Sequence, residues 1–317
     1  MLNIGIIGSG FGTTGLLPAF TSVKGCRVVG VCTKRTDWRA FLKREDIDAI
    51  AIAVPPRAQY EITKVAIAKG LHVFAEKPLA ATVVQARALL ALARKKKIVH
   101  GIDFMFPEIA EWKKVKRLLD SKKFGKLKHV SVEWRWLSGD IRFKKWSWRT
   151  KIKEGGGALS FYFSHGLHYL EHFAGEIVEA KTLFEYTPQN PNDGESGFDM
   201  SLKFKKGITG DVHLSSNSRG SAKHKLVFTC ERGRIVLENK NAVVDNFTVK
   251  TYGETGKKRV KVLKDVQLKN EDERVKIVRI LAKRFVHACA RHVQMSPSFV
   301  EGLRVQELIE KVRARKM

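Results

Sequence analysis

The feature that most constrains this chain is a glycine-rich turn set directly after its first apolar run. Residues 2–7 supply Leu2, Ile4, Gly5, Ile6 and Ile7, and Gly8–Ser9–Gly10–Phe11–Gly12–Thr13 comes at once. A short apolar run that ends in such a turn and passes into a helix reads as the start of a βαβ unit. Gly8 permits the sharp turn. Gly10 lets the backbone approach a diphosphate, which then rests on the N–H groups of the helix start. The third small residue of the usual pattern is Thr13 here, with Gly12 just before it. A GxG pair alone is weak, and placed at residue 8 after a strand it is much stronger. The competing reading is a plain glycine-rich strand-to-helix turn.

Strand and helix keep alternating downstream of this turn. Helices are expected over residues 16–23, 38–43, 61–69 and 82–96, and strands over 27–32, 49–54, 71–75 and 98–102. The run at 49–54 is all Ala, Ile and Val and is closed by Pro55–Pro56, which suits a strand buried on both faces. Gly70 is placed as a helix stop and Thr82 as an N-cap. Such alternation implies a parallel sheet with right-handed crossovers. Past about residue 122 the pattern changes. One strand (128–136), one helix from the glycines at 155–157 to about 173, and six strands (178–186, 198–204, 209–214, 225–230, 234–238, 243–252) precede two helices at 272–292 and 301–315. Consecutive strands with hairpin joints imply an antiparallel sheet. The 317 residues are too many for one typical core. The expected fold is an α/β Rossmann domain over residues 1–121, then an α+β domain over 122–317 with an open, mostly antiparallel sheet and C-terminal helices.

The end of the second strand bears on the cofactor. A binder of NAD places Asp or Glu there to accept the ribose 2′-OH. This chain has Thr33–Lys34–Arg35, with no acid before Asp37. A carboxylate would repel a 2′-phosphate, whereas a hydroxyl and a guanidinium would hold one. NADP is therefore expected in preference to NAD. The alternative is that Lys34 and Arg35 merely belong to a generally basic surface.

That surface is pronounced: 59 Lys and Arg against 32 Asp and Glu, formally +27. The basic residues lie in many separate elements, which favours a solvated surface over a specific nucleic-acid site; the field would also draw in anionic substrates or cofactors. The apolar runs are far shorter than the roughly 20 residues that cross a bilayer. The N-terminus goes straight into a strand, with no basic segment before it, so no signal peptide and no membrane association are expected. Cys26, Cys32, Cys230 and Cys289 form no CxxC pair. They suit a reducing cytoplasm and no metal site.

With these residues in place the chain resembles the Gfo/Idh/MocA oxidoreductases over nearly its whole length. The markers are the Gly8–Gly12 loop, Ala53–Val54–Pro55–Pro56, Glu76–Lys77–Pro78–Leu79, Trp148–Arg149 ahead of Gly155–Gly156–Gly157–Ala158–Leu159, His165, and Glu301–Gly302–Leu303–Arg304. The resemblance implies a dinucleotide held by Gly8, Gly10, Phe11, Gly12, Thr13, Thr33, Lys34, Arg35, Val54, Pro55, Glu76 and Lys77. It implies Lys77 beside the nicotinamide and touching the substrate oxygen, a cis bond at Pro78, and His165 on the substrate side. It also implies a sugar-like or cyclitol-like substrate, and a homodimer or homotetramer formed through the C-terminal sheet. Hydride transfer needs a proton donor or acceptor at the alcohol oxygen and a positive group to steady charge there. Lys77 can supply the charge, and His165 titrates near neutrality. Three departures stand out. Phe161 occupies the position where many members have Asp. Gln59 stands where His is common. The stretch between Arg35 and Asp48 is short by one helix and one strand, which puts a sheet edge in question.

Tyr162, His165, His168, Tyr169 and His172 fall three, four and seven apart, so on one helix they would share a stripe. Three readings stay open. The stripe is a substrate face, with His165, His168 and Tyr169 lining it and Tyr162 or Tyr169 lending a hydroxyl to proton transfer; or it is a core and interface stripe; or His165, His168 and His172 form a metal set. Trp134, Trp136, Trp146 and Trp148 crowd one segment with Arg135, Arg142 and Arg149. Such interleaving can stack bases or sugar rings, or build a core wall; Trp134 and Trp136, on one strand face, favour packing. Arg149 is a candidate fork for a substrate carboxylate. The expected activity is NADP-linked hydride transfer to or from a hydroxyl or carbonyl. The alternative is a member that holds the cofactor but has lost the chemistry and acts as a redox-responsive scaffold.

Overall fold

The computed structural model describes residues 1–241, 244, 246–254 and 256–314. They form two compact units. The first comprises Met1–Met105, Lys153–Gly155 and Val266–Leu308, and the second Phe106–Ile152, Gly156–Asp265 and the residues after Leu308. In chain order the first half contains β1 (Leu2–Ile7), a π-helical turn (Gly12–Leu16) running into α1 (Leu17–Thr21), β2 (Cys26–Cys32), α2 (Trp38–Leu42), β3 (Ala49–Ile52), α3 (Pro56–Ala68), β4 (His72–Ala75), α4 (Val83–Lys95), β5 (His100–Ile102) and α5 (Ala110–Asp120). Then come β6 (Leu127–Arg135), α6 (Gly139–Arg142), α7 (Ala158–Phe161), α8 (Ser164–Ala174), β7 (Ile177–Glu185), β8 (Gly197–Phe204), β9 (Thr209–Ser215), β10 (Lys223–Cys230), β11 (Gly233–Asn239), β12 (Thr248–Gly253), β13 (Gly256–Val260), α9 (Val275–Arg291) and α10 (Phe299–Ala314).

The first unit holds a parallel sheet of order β2-β1-β3-β4-β5. Every residue of β3 is buried, as the Ala-Ile-Ala-Ile run requires of a strand covered on both faces. Thr82 caps α4 by accepting from Gln85 N, and Gly70 turns the chain after α3 with φ +85°. Between Arg35 and Asp48 there is the one short helix α2, so β2 is left as the sheet edge. The segment 266–308 belongs to this unit, against the expectation that everything past residue 122 forms the second domain. The reason is the buried stripe of α9: Val275, Val278, Leu281, Ala282, Phe285 and Cys289. Phe285 closes an aromatic cluster with Phe20 and Phe74, at centroid distances of 5.5–6.1 Å. An amphipathic stripe shows in sequence that it needs a partner, but not which one.

In the second unit eight strands run in the order β13-β12-β11-β10-β6-β9-β8-β7, antiparallel except for the parallel β6–β9 pair. Val130, Val132, Trp134, Phe198, Met200, Leu202, Phe204, Leu226 and Phe228 alternate onto a buried face. The other face carries paired polar and charged residues, among them His129 against Asp211 (2.5 Å), His213 against Asp199 (2.8 Å) and Lys203 with Glu179 (2.9 Å). The unit also takes in 106–121, assigned by sequence to the first domain. Trp112 of α5 is fully buried against Phe106, Tyr169, Phe173 and Phe247. The strand expected over 243–252 is β12, which starts later; residues 243 and 245 of that range and 315 of the last expected helix lie outside the described residues. The strand β13 was not foreseen. No helix among the described residues is long and apolar enough to cross a membrane. The four cysteines are free thiols.

Candidate functional site

In the first unit the site residues sit where the parallel strands end. Gly8 comes after β1 at φ +138°, and a Cβ there would lie 2.2 Å from the Ala53 carbonyl oxygen, so only glycine fits. Its N–H donates to Cys32 O (2.9 Å), tying the turn to the neighbouring strand. Gly10 is the opposite case: exposed, with nothing within 4 Å of a Cβ placed on it. The loop is stiffened around this opening. The Thr13 hydroxyl donates to Ser9 O and Gly10 O (3.0 and 2.9 Å). Phe11 folds over Gly15, and the Arg274 guanidinium lies 4.1 Å from its ring centre. Beyond β2, Lys34 N donates to Ser9 Oγ (2.8 Å) and Arg35 N to Thr33 Oγ1 (3.3 Å). The nearest acid, Asp37, caps α2 by accepting from Arg39 N (2.9 Å). The side chains of Lys34 and Arg35 are exposed.

Val54 and Pro55 come after β3, half-exposed, and Glu76 and Lys77 after β4. The Lys77–Pro78 bond is cis. Gln59, buried on α3, donates through Nε2 to the carbonyls of Glu76, Pro78 and Leu79 (2.6, 3.0 and 3.2 Å). It clamps the loop that carries Lys77. Asp103 comes after β5 and is 2% exposed. The sequence marked Gln59 only as a departure, without its clamping role, and gave Asp103 no part in the site. The signal for Asp103 was a lone acid directly after an apolar strand.

In the second unit, Gly156 and Gly157 pack where no side chain fits: a Cβ on Gly156 would lie 2.2 Å from Trp148 O, and one on Gly157 2.5 Å from the Glu195 carboxylate. Glu195 accepts from Leu159 N (2.9 Å) and Arg313 Nη2 (2.7 Å), fixing the start of α7. The single helix expected from the glycines to residue 173 is two, α7 and α8, because the backbone leaves helical geometry at Phe163 (ψ near 0°). Tyr162 therefore leaves the stripe. It lines a recess with Ser138, Asp140, Trp146 and Arg149. Burial, then the Asp140 charge, push its hydroxyl pKa up to about 12, so it is a neutral hydrogen-bonding group. Arg149 sits 3.6 Å from Asp140 and stacks 5.0 Å from the centre of the Phe161 ring.

His165, His168, Tyr169 and His172 remain together on α8. His165 is 6% exposed, its ring 5.0 Å from that of Phe106. Tyr169 is a correction: it is fully enclosed, its hydroxyl 3.3 Å from His224 Nε2 in the core, so it packs and does not line a substrate face. His224 also stacks on Trp134 at 4.2 Å, and burial drives its pKa down to about 3. His168 is half-buried and His172 exposed. Among the described residues no three His, Cys, Asp or Glu side chains converge as a metal set.

Comparison with known proteins gives two family matches. Residues 2–104 match the oxidoreductase family with an NAD-binding Rossmann fold, and 112–236 match the GFO/IDH/MocA C-terminal domain. The chain belongs to the Gfo/Idh/MocA oxidoreductase family. An uncharacterized oxidoreductase of Synechocystis sp. is 27% identical over 268 residues, covering 76% of this chain and 72% of that protein. Levoglucosan dehydrogenase of Pseudarthrobacter phenanthrenivorans is 24% identical over 225 residues (63% and 57%), so the match spans little more than half of that relative. A levoglucosan dehydrogenase structure in complex with NADH and levoglucosan superposes with TM-score 0.84 at 20% identity, over 99% and 97% of the two chains. The 3-ketoreductase of Actinomadura kijaniata, in complex with NADP and TDP-benzene, gives 0.80 at 21% identity over the same shares. These superpositions establish the shared fold.

As a Gfo/Idh/MocA protein the chain resolves its own departures. Gln59 is a buried clamp on the Lys77 loop, bonded to the Glu76 and Pro78 carbonyls. Phe161 fills its position with an aromatic ring against Trp148 (5.3 Å) and under Arg149. The shortened 35–48 stretch leaves the parallel sheet intact, with β2 at its edge.

Proposed function

We propose that the protein transfers hydride between NADP(H) and a hydroxyl or carbonyl carbon of a sugar-like or cyclitol-like molecule. The observation that carries this reading is the row of strand ends in the first unit: an uncovered Gly10 turn and the clamped Glu76–Lys77–Pro78 loop. The names of two relatives, levoglucosan dehydrogenase and the dTDP-3,4-didehydro-2,6-dideoxy-alpha-D-glucose 3-reductase of Actinomadura kijaniata, support the substrate class. The nicotinamide supplies or accepts the hydride. Gly8, Gly10, Phe11, Gly12 and Thr13 would hold the diphosphate, and Val54, Pro55 and Glu76 the nicotinamide side. Thr33, Lys34 and Arg35 would hold a 2′-phosphate, a reading supported by the engagement of the nearest acid, Asp37, as the cap of α2. Lys77 steadies negative charge on the reacting oxygen. His165 gives or takes its proton, and Tyr162, too weak an acid to ionise, orients the substrate by hydrogen bonding, with Arg149 and His168 as further substrate contacts.

Titration of nicotinamide fluorescence tests the cofactor. NADPH should bind at least about tenfold tighter than NADH. Equal affinity removes the NADP preference, and failure of both removes hydride transfer. A second reading comes from Phe161: the cofactor is held but chemistry has lapsed. Tight NADPH binding with no turnover across a panel of sugars and cyclitols would favour it. The reading also takes the protein as cytoplasmic and as a homodimer or homotetramer through the charged free face of the eight-stranded sheet, which light scattering would check. Nucleic acid is not a partner in this reading; a DNA titration that persisted at high salt would contradict it.

A further inference from the structure

The turn after β1 carries one bulky side chain. From Gly8 to Gly15 the chain reads Gly-Ser-Gly-Phe-Gly-Thr-Thr-Gly, so Phe11 is the one large handle by which the rest of the unit can grip it. Thr13 N and Thr14 N both donate to Gly10 O (3.0 and 3.1 Å), so the backbone at Gly10 and the course of the chain through Phe11 are set together. The Phe11 ring rests on Gly15, where a Cβ would lie 2.1 Å from its Cε2. A bare backbone supports a ring without holding it. The hold comes from a distant segment: the Arg274 guanidinium carbon stands over the ring, 4.1 Å from its centre.

Arg274 is itself fixed. It precedes α9, and its fork meets Asp272, Nε to Oδ1 at 2.8 Å and Nη2 to Oδ2 at 2.6 Å, while its own N–H donates to the same Oδ1 (3.0 Å). The segment around it is tied to the helix that the turn opens. Glu271 accepts from Leu268 N (3.1 Å) and from Arg279, and Arg279 Nε donates to Ser22 Oγ (2.8 Å) at the end of α1.

We propose that Arg274 is a positioning residue for the cofactor turn: stacked on Phe11 and steered by Asp272, it holds the Gly10 turn open and ready for the dinucleotide without touching it. The inference rests on the proposed function only for the identity of the ligand. Two features set this role apart from a phosphate contact. The guanidinium charge is already matched by a two-point carboxylate, and its planar face is occupied by the ring. The gain lies in order. A turn already fixed in its binding form loses less freedom when the ligand arrives, so affinity rises with no added contact. Arg274 therefore acts on NADPH affinity through Phe11, and the path runs from Asp272 to the guanidinium, to the ring, to the backbone at Gly10.

Two measurements on the full chain test this. The first needs no dinucleotide. With 4-fluorophenylalanine placed at position 11, the fluorine resonance of the cofactor-free protein should shift or broaden in Arg274→Gln, as the ring loses its hold. An unchanged resonance overturns the proposal. Arg274→Lys, which keeps the charge and loses the planar fork, should act in the same direction and carries the test if the Gln variant does not fold. The second is a double-mutant cycle on NADPH affinity. Arg274→Gln should weaken NADPH about fivefold, within the range of a cation–π contact. Asp272→Asn, which releases the fork, should also weaken it. In a Phe11→Leu background, Arg274→Gln should cost less than about twofold, because the ring through which it acts is gone. An equal loss in both backgrounds means that Arg274 meets the cofactor directly, and no loss in either means that it only supports α9. Both results overturn the proposal. A parent protein that binds no NADPH strikes the proposed function, and the fluorine resonance then decides whether Arg274 holds the turn.

Discussion

Gly8 and Gly10 lie two residues apart in one turn, and the structure assigns them opposite sensitivities. At Gly8, alanine meets two penalties. Its φ of +138° is a region that side chains rarely adopt, costing about 1–3 kcal/mol. Its Cβ would also lie 2.2 Å from the Ala53 carbonyl oxygen, which belongs to the backbone after β3 and cannot swing aside. Together these should cost about 3 kcal/mol or more, lowering the melting temperature of the first unit by about 6–12 °C. At Gly10, alanine meets no atom within 4 Å and needs no unusual φ, so stability should change by less than about 0.5 kcal/mol. The new methyl instead stands where a diphosphate would approach the backbone. NADPH affinity should fall at least tenfold, about 1.4 kcal/mol. Differential scanning calorimetry and fluorescence titration on the two variants read both quantities. An unaltered NADPH affinity in Gly10→Ala would refute the placement of the diphosphate. A Gly8→Ala protein as stable as the parent would refute the steric reasoning.

Lys77→Ala should reduce turnover by about 100-fold or more, with NADPH affinity nearly intact; unchanged turnover would remove its assigned role. Gln59→Leu strips a donor from the Glu76, Pro78 and Leu79 carbonyls and should destabilise the first unit by about 1–3 kcal/mol, visible as a lower melting temperature. His224, neutral and buried, has a folded pKa depressed to about 3 against about 6.5 in the unfolded chain. The unfolded state therefore binds a proton that the native state refuses, so stability is complete above pH 6.5 and falls as pH drops toward 3. Between pH 6.5 and 4.5 this one residue should contribute a loss of about 2–3 kcal/mol. His224→Phe should flatten that slope in denaturant titrations; an unchanged slope would place the effect elsewhere, with His100, also depressed to about 4, the next to test.

The sequence by itself determined whatever depends on neighbours along the chain. The glycines at 8, 10 and 12, the buried run at 49–52 and the Thr82 cap are set within a few residues, where backbone geometry and periodicity are written directly, while the cis Lys77–Pro78 bond was expected only from the family resemblance. The alternation of strand and helix, and then of strand and strand, made both sheets legible for the same reason. Tertiary structure decided which surfaces those elements meet. The stripe of α9 could have packed on either unit, and the Phe20–Phe74–Phe285 cluster settles it. The histidine and tyrosine stripe looked continuous, yet the break at Phe163 sends Tyr162 to a polar recess and Tyr169 into the core. Asp103 and Glu76 stand 27 residues apart and leave the sheet side by side only because β4 and β5 are adjacent. Burial and the pairing of charges are properties of contacts between distant segments, and no local pattern encodes them.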